Sequence, residues 1–372
     1  MPSIQTLHLA LQKIPVSAGL NTFILRHLES IAPKMSVKNK VCILMWDEVS
    51  IQPKITYDNR KDIICGLEDW GNNRTGKMAD HVLVFMLRGL YTGWKMPISY
   101  NFCCKQTNTA QLVRCIKEHV SKINDLGFHI VATVCDQGSS NMAAIKELLL
   151  RTDMKRKSSE RTQSQTFEVG QYVIVPLYDG PHLIKGVRNN LLTKDLAMSC
   201  ENGVSAKIAS WDIIKTAWIM DRETHKIRPQ LKKIKCEHIM EDKIKKMRVK
   251  YAVQVLSGTM ASCIETLATS NCVVRHEDKD LKIEENEGLA TAESVNFFND
   301  LFDSVNGSDK ECVEDNDLRQ AVSETSVHHV FWVSAKRILR EMKYVDKISR
   351  EIIKNVPTVT NWKFTIDGFQ KL

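Results

Sequence analysis

Two apolar runs in this chain each end on an aspartate, and that pairing constrains the fold more than any other feature. The first reads Val41-Cys42-Ile43-Leu44-Met45-Trp46-Asp47-Glu48, and the second Ile130-Val131-Ala132-Thr133-Val134-Cys135-Asp136-Gln137-Gly138. Apolar runs of this length, bounded by polar residues, are the pattern of central β-strands. A carboxylate at the tip of such a strand is costly unless its charge is compensated. A divalent cation compensates it, because Mg2+ prefers carboxylate oxygens. Asp47 and Asp136 are therefore candidate metal ligands and catalytic acids, two of the three carboxylates that a metal-dependent nuclease site needs. The plainer alternative is that one or both simply end a strand at the surface. Glu48 points to the other face of its strand and is at most a supporting group. No third carboxylate is identifiable.

The chain is long enough, at 372 residues, for two or three domains with real cores. No apolar stretch approaches the roughly 18–20 residues of a membrane span, so no membrane partner is expected. The first residues lack the basic-then-apolar pattern of a secretion signal. Eleven cysteines are scattered without Cys-x-x-Cys spacing, which predicts reduced, mostly buried thiols in an intracellular protein. The formal charge of +8 is compatible with a polyanionic partner without establishing one. Residues 226–250 are strongly basic and residues 276–288 mostly acidic. A solvated face is the bland reading of each block.

Periodicity predicts a helical segment over residues 4–30, with Leu7, Leu9, Leu11, Ile14 and Leu28 as core positions rather than a zipper. A first strand at 41–46 follows, with hairpin partners at 55–57 and 63–66 joined by the turn Asp58-Asn59-Arg60-Lys61. Residues 71–76 read as a loop, 81–90 as a strand, and 98–102 as a continuation at the sheet edge. A helix at 109–126, the strand that carries Asp136, and a helix from 141 to 150 complete the α/β part. This is the order of an RNase H-like mixed sheet, with one acid on the first strand and one on the fourth. Residues 151–170 read as an exposed loop, 172–176 as a strand and 183–192 as a helix. From 203 to 355 strand signals nearly vanish, and 211–220, 240–267, 295–302 and 327–354 read as helices. Pro357 is expected to end a helix. The expected domains are a helical segment at 1–40, the core at 41–192, a mostly α-helical insertion at 193–355, and the start of a further catalytic segment at 356–372.

His182, Lys185, Arg188 and Asn189 would share one face of the helix after the fifth strand, suited to a phosphate backbone; a solvated helix is the equal alternative. There is no Gly-x-x-x-x-Gly-Lys-[Ser/Thr] loop, no Gly-x-Gly-x-x-Gly after a strand, and no zinc-ligand spacing. The tryptophans read mostly as core anchors.

Several stretches, in order along the chain, resemble the P element transposases and the related THAP-domain transposase-like proteins. They include Leu44-Met45-Trp46-Asp47-Glu48, Ala79-Asp80-His81-Val82-Leu83-Val84-Phe85, Cys135-Asp136-Gln137-Gly138-Ser139-Ser140-Asn141, Pro181-His182-Leu183-Ile184-Lys185-Gly186, Lys246-Met247-Arg248-Val249-Lys250 and Phe302-Asp303-Ser304-Val305-Asn306. The resemblance implies an RNase H-like catalytic domain interrupted by a helical GTP-binding insertion. It puts Asp47 and Asp136 on the first two catalytic acids, with Mg2+ as metal. It puts Arg248, Val249 and Ser257 beside the nucleotide, although the family usually shows Lys where Arg248 stands. Phe302, Asp303 and Asn306 match a segment near the guanine and metal, and Asp221 and Lys226 follow at less fixed spacing. GTP would act as a cofactor for assembly with DNA, the transposon ends, in the nucleus. A homo-oligomer is left open. The family's N-terminal zinc-dependent domain and the segment bearing its third catalytic acid find no match here. The expectation is a truncated transposase-like chain, ancestrally capable of Mg2+-dependent DNA cleavage and strand transfer but inactive alone. The alternative is a domesticated, non-catalytic nuclear adaptor or inhibitor that binds DNA or GTP.

Overall fold

The computed structural model describes residues 3–11, 16–59, 62–157, 165–198, 207–307 and 316–372. It divides into two compact units, residues 1–177 with 371–372, and residues 178–370. In chain order the first unit contains α1 (Ile4–Leu11), β1 (Gly19–Leu20), α2 (Thr22–Ile31), α3 (Val37–Lys40), β2 (Val41–Ser50), β3 (Thr56–Asp58), β4 (Ile63–Cys65), β5 (Leu67–Asp69), β6 (Arg74–Met78), β7 (His81–Gly89), β8 (Lys95–Cys103), α4 (Thr109–Asp125), β9 (His129–Cys135), α5 (Ser139–Lys157), β10 (Phe167–Val169) and β11 (Tyr172–Tyr178), whose last residue belongs to the second unit.

The strands form a mixed sheet in the order β10-β11-β9-β2-β7-β8-β5-β6, with β1 added alongside β8. β2 runs antiparallel to β7 and parallel to β9, the mixed pattern expected of an RNase H-like core. Along β2, Cys42, Leu44 and Trp46 are buried while Ile43, Met45 and Asp47 are more open, the period-2 alternation of a pleated strand. Leu44 faces Leu87 and Trp46 faces Phe85 across the β7 ladder, and all four are buried. α4 covers this face: His119 stacks on Phe85 at 4.4 Å, and Leu112, Ile116, Val120 and Ile123 are fully buried. Asn108 caps α4 by accepting from the Ala110 N–H, and Gly127, at φ +87, turns the chain into β9.

Several expectations for this half need correction. The helix expected over 4–30 is interrupted: Gly19 sits at φ +82, with its Cα in close approach to Gly71, and only two helices form around it. Leu7 and Leu9 are exposed rather than core, and Ile14 lies outside the described residues. β3 and β4 pair with each other, not with β2; Arg60 and Lys61 of their turn lie outside the described residues. Of the stretch read as a loop at 71–76, residues 71–73 lie at the tip of the β5–β6 hairpin while 74–76 belong to β6, and β8 lies inside the sheet rather than at its edge. α5 continues to Lys157, seven residues past the expected stop, because Thr152 and Arg156 are buried and bond to residues 166–168.

The second unit contains α6 (Gly180–Leu191), β12 (Asp195–Met198), β13 (Lys207–Ala209), α7 (Trp211–Thr224), α8 (Cys236–Ile239), α9 (Val249–Val255), α10 (Gly258–Thr269), β14 (Val273–His276), β15 (Lys279–Lys282), α11 (Glu285–Asn306), α12 (His328–Glu341), β16 (Lys343–Val345) and α13 (Pro357–Phe369). It is mostly helical, as expected, yet it has strands that periodicity missed. β12 pairs with both β13 and β16, and β14 with β15. The single helix expected at 240–267 is two, because Ser257 adopts an extended backbone and caps α10. Pro357 starts α13 rather than ending a helix; at the first helical position its missing N–H costs nothing. The unit boundary falls at 177/178 rather than the expected 192/193, because α6 packs on α9, α11 and α13.

Candidate metal and nucleotide sites

The register of β2 against β9 decides whether the two aspartates can act together. The last pair of that ladder is Met45 with Val134, and Asp47 and Asp136 each follow it by two residues, Asp47 still within β2 and Asp136 just past the end of β9. Strand neighbours lie about 4.8 Å apart, so the two aspartates come at the same end of adjacent strands. Asp47 is exposed and Asp136 half-buried, which leaves the pair open to solvent and substrate.

Asp136 is held tightly. Its Oδ1 accepts from the Gly138 N–H at 2.8 Å, closing an Asx turn, and from the Asn141 amide in the first turn of α5. Both bonds fall on Oδ1, so Oδ2 keeps its lone pairs for a ligand. Asn141 in turn accepts from the indole N–H of Trp46 at 2.8 Å. Asp47 Oδ1 accepts from the adjacent Glu48 N–H. The Glu48 carboxylate accepts from the Thr107 N–H at 3.1 Å. Sequence reasoning overlooked Asn141 and Trp46, although both sit in the quoted motifs. The signal was a side-chain amide five positions after the aspartate, at the start of a helix.

The donor set fits Mg2+ in part. Among the described residues, no group of three or more His, Cys, Asp or Glu side chains is placed to hold a metal. Two carboxylates are nevertheless a normal share for Mg2+, which keeps several waters and takes further oxygens from substrate phosphates.

In the second unit the expected nucleotide residues form two groups. Arg248 and Ser257 are the caps before α9 and α10, and Val249 opens α9. The Arg248 guanidinium lies over the Tyr251 ring, whose hydroxyl donates to Glu237 at 2.7 Å. Ser257 accepts from the Met260 N–H and donates to the Gln254 carbonyl. Phe302, Asp303 and Asn306 share the last turns of α11, with Phe302 and Asp303 buried and Asn306 exposed. Asp303 Oδ2 accepts from Arg319 Nε and Asn316 Nδ2, each at 3.0 Å. α6 packs against both α9 and α11.

Of the two remaining candidates, one is turned inward. Asp221 is buried, and its carboxylate accepts from the Gln230 and Leu231 N–H groups and from His225, so it pins the 225–231 loop instead of facing a nucleotide. Lys226 is exposed beside Glu223. The phosphate-binding face on α6 is also overturned. Lys185 and Arg188 are buried; Arg188 donates to the Lys246 carbonyl and to Asn189, and His182 pairs with Asp179 at the helix N-terminus. A helix packed on three others has no room for a solvated cationic stripe. Exposed lysines at 232, 233, 235, 243, 245, 246 and 250 supply the positive surface of this unit instead. No helix among the described residues is long and apolar enough to cross a membrane.

Residues 16–149 match the TNP-like RNase H N-terminal domain, and residues 181–316 match the TNP-like GTP-binding insertion domain. The first TNP-like match contains Asp47 and Asp136, and the second contains the residues from Arg248 to Asn306. The chain is 26% identical over 316 residues to the Transposable element P transposase of Drosophila melanogaster, covering 84% of this chain and 36% of that protein. It therefore spans little more than a third of that relative's length. The fold is that of the Drosophila P element transposase strand transfer complex, with a TM-score of 0.71 at 23% identity, over 100% of this chain and 73% of that one. The mixed sheet is thus an RNase H-like core, as the order of elements predicts, and the mostly helical part matches the insertion domain that the resemblance implies.

Proposed function

We propose that this P element transposase-like chain supplies two carboxylates of an Mg2+-dependent DNA cleavage and strand-transfer site, and that its second unit binds GTP as a cofactor. The observation that supports this most is that Asp47 and Asp136 each follow by two residues the last pair of the parallel β2–β9 ladder, Met45 with Val134. The domain match supports GTP in the second unit. Asp47 and Asp136 would hold the cation, which when bound would polarise a phosphate and help ionise an attacking hydroxyl. Asn141 and Gly138 hold Asp136 in place, and the exposed lysines between 232 and 250 offer contacts to the DNA backbone. In the second unit Asp303 would accept the guanine N–H groups, with Arg248, Val249 and Asn306 alongside. The site of action would be the nucleus.

The absence of a third carboxylate beside the pair, among the described residues, favours a second reading. In it the chain alone does not cut, and serves as a nuclear DNA- or GTP-binding adaptor or inhibitor. One preparation of the full chain separates the two. Fluorescent GTP is titrated with ATP as competitor, and duplex DNA is incubated with and without Mg2+. Selective GTP binding with Mg2+-dependent nicking that Asp47→Ala abolishes supports the enzyme. Selective GTP binding without nicking supports the adaptor. No preference for GTP over ATP overturns the nucleotide assignment in both.

A further inference from the structure

We propose that Asn141 is the positioning residue of the metal site, transmitting the placement of Trp46 on β2 to the Asp136 carboxylate beyond β9. This rests on the reading that Asp47 and Asp136 hold a divalent cation. Those two ligands reach the site by different routes. Asp47 lies within β2 and is paired with Val84 of β7, so its position follows from the sheet. Asp136 lies one residue past the end of β9, where no ladder holds it. Its placement depends on side-chain contacts.

The chemistry of the three groups allows only one arrangement. An indole N–H is a donor without acceptor capacity, and an ionised carboxylate is an acceptor without donors. An amide between them must turn its oxygen to the indole and its NH2 to the carboxylate. Asn141 does this: Trp46 Nε1 donates to its Oδ1 at 2.8 Å, and its Nδ2 donates to Asp136 Oδ1. Aspartate, leucine or serine at position 141 cannot satisfy both ends at that span. Trp46 itself is a fixed reference point, 4% exposed and packed against Phe85 at 5.7 Å between ring centroids. Trp46 immediately precedes Asp47 in the chain. One residue thus helps to set the level of Asp47 through the backbone and of Asp136 through the amide. Gly138 completes the arrangement from the other side: a Cβ there would stand 3.0 Å from Asp136 Oδ1 and 3.5 Å from Asn141 Nδ2. With Oδ1 doubly held, Oδ2 is the oxygen presented to the ion.

Tb3+, an oxygen-seeking luminescent ion, provides the test on the full chain. Affinity is titrated, and waters on the bound ion are counted from decay rates in H2O and D2O under direct excitation. Asn141→Leu and Trp46→Phe are each expected to keep the wild-type melting temperature within a few degrees, to weaken Tb3+ by about tenfold, and to add water to the bound ion. Trp46→Phe removes the N–H and keeps a ring, so it carries the test if Asn141→Leu fails to fold. Asp47→Asn and Asp136→Asn serve as controls. If the aspartate variants lose Tb3+ while both positioning variants bind within about twofold of wild type, the role of Asn141 is overturned and the metal site stands. If the aspartate variants bind like wild type, the metal site itself is overturned, and this inference with it.

Discussion

The Arg188 guanidinium donates to the Lys246 carbonyl at 2.7 Å, tying α6 to a loop 58 positions further along the chain. Burial pushes the guanidinium's pKa down from its ordinary value, and its Nη1 is buried without a hydrogen-bond partner. The loop it holds leads directly into Arg248 and Val249. Arg188 therefore acts within the fold rather than on a phosphate backbone. Arg188→Ala is expected to destabilise the protein by about 3 kcal/mol, through lost packing and a lost charge-assisted bond. It should leave the salt dependence of duplex-DNA binding unchanged. Urea unfolding and DNA affinity across salt concentrations would check both, and a shallower salt slope would restore Arg188 as a phosphate contact.

Gly138→Ala should act on the metal site and little else. The backbone there is one that alanine can adopt, so the penalty comes from the Cβ pressing on Asp136 Oδ1. Metal affinity should fall by roughly threefold to tenfold, with stability changed by less than about 1 kcal/mol. Calorimetric titration with Mn2+ beside a thermal melt measures the two effects separately.

Asp303 has two competing uses, the clasp to Arg319 and Asn316 and the proposed guanine contact. Asp303→Ala breaks both: it should cost about 1–2 kcal/mol of stability and abolish the preference for GTP over ITP, which lacks the exocyclic amine. Arg319→Ala breaks only the clasp, so GTP affinity should hold or rise while stability drops. Equal GTP affinity in wild type and Asp303→Ala would leave the clasp as the whole role of this carboxylate.

His119 builds a pH dependence into the first unit. It lies buried between Ser99 and the Cys115 carbonyl, and burial pushes its pKa down to about 4. The unfolded chain takes up the proton near the ordinary histidine value of 6.5, while the folded chain refuses it until about 4. Stability is therefore full above that upper value and falls as pH drops through the window. The loss should be about 2 kcal/mol between about pH 7 and pH 5. Urea midpoints at the two pH values would show it, and His119→Gln should flatten the difference.

The buried thiols need no disulfide to explain them. Burial pushes Cys42, Cys115 and Cys263 up to about 12, and Cys103 to about 11. Cys42, Cys103, Cys115, Cys135 and Cys263 are all buried and in no disulfide, in keeping with the positions of Cys42, Cys135 and Cys263 within strand and helix patterns. Cys200 and Cys312 lie outside the described residues.

What the amino-acid sequence settled by itself was local and periodic. The apolar runs at 41–46 and 130–135 marked two strands; the polar break marked the end of β9 just before Asp136, whereas β2 runs on through Asp47 to Ser50, because its pairing with β7 continues past the polar residues. The spacing of Leu112, Val113, Ile116, Val120 and Ile123 marked α4 as a helix with one buried face. Each of these signals lies within one element, because a residue's environment there repeats with the backbone period. What only the tertiary structure decided depended on partners far away in the chain. β12 and β16 are too short to show a period, and Asp195 meets Val345 only after the helices between them have folded back. The polar residues on α6 looked like a solvated stripe, yet three helices cover it, because composition says which face is polar and not what packs against it. The same limit hid Asn141. An amide at the start of a helix has no fixed meaning until an indole donor and a carboxylate acceptor arrive on either side of it.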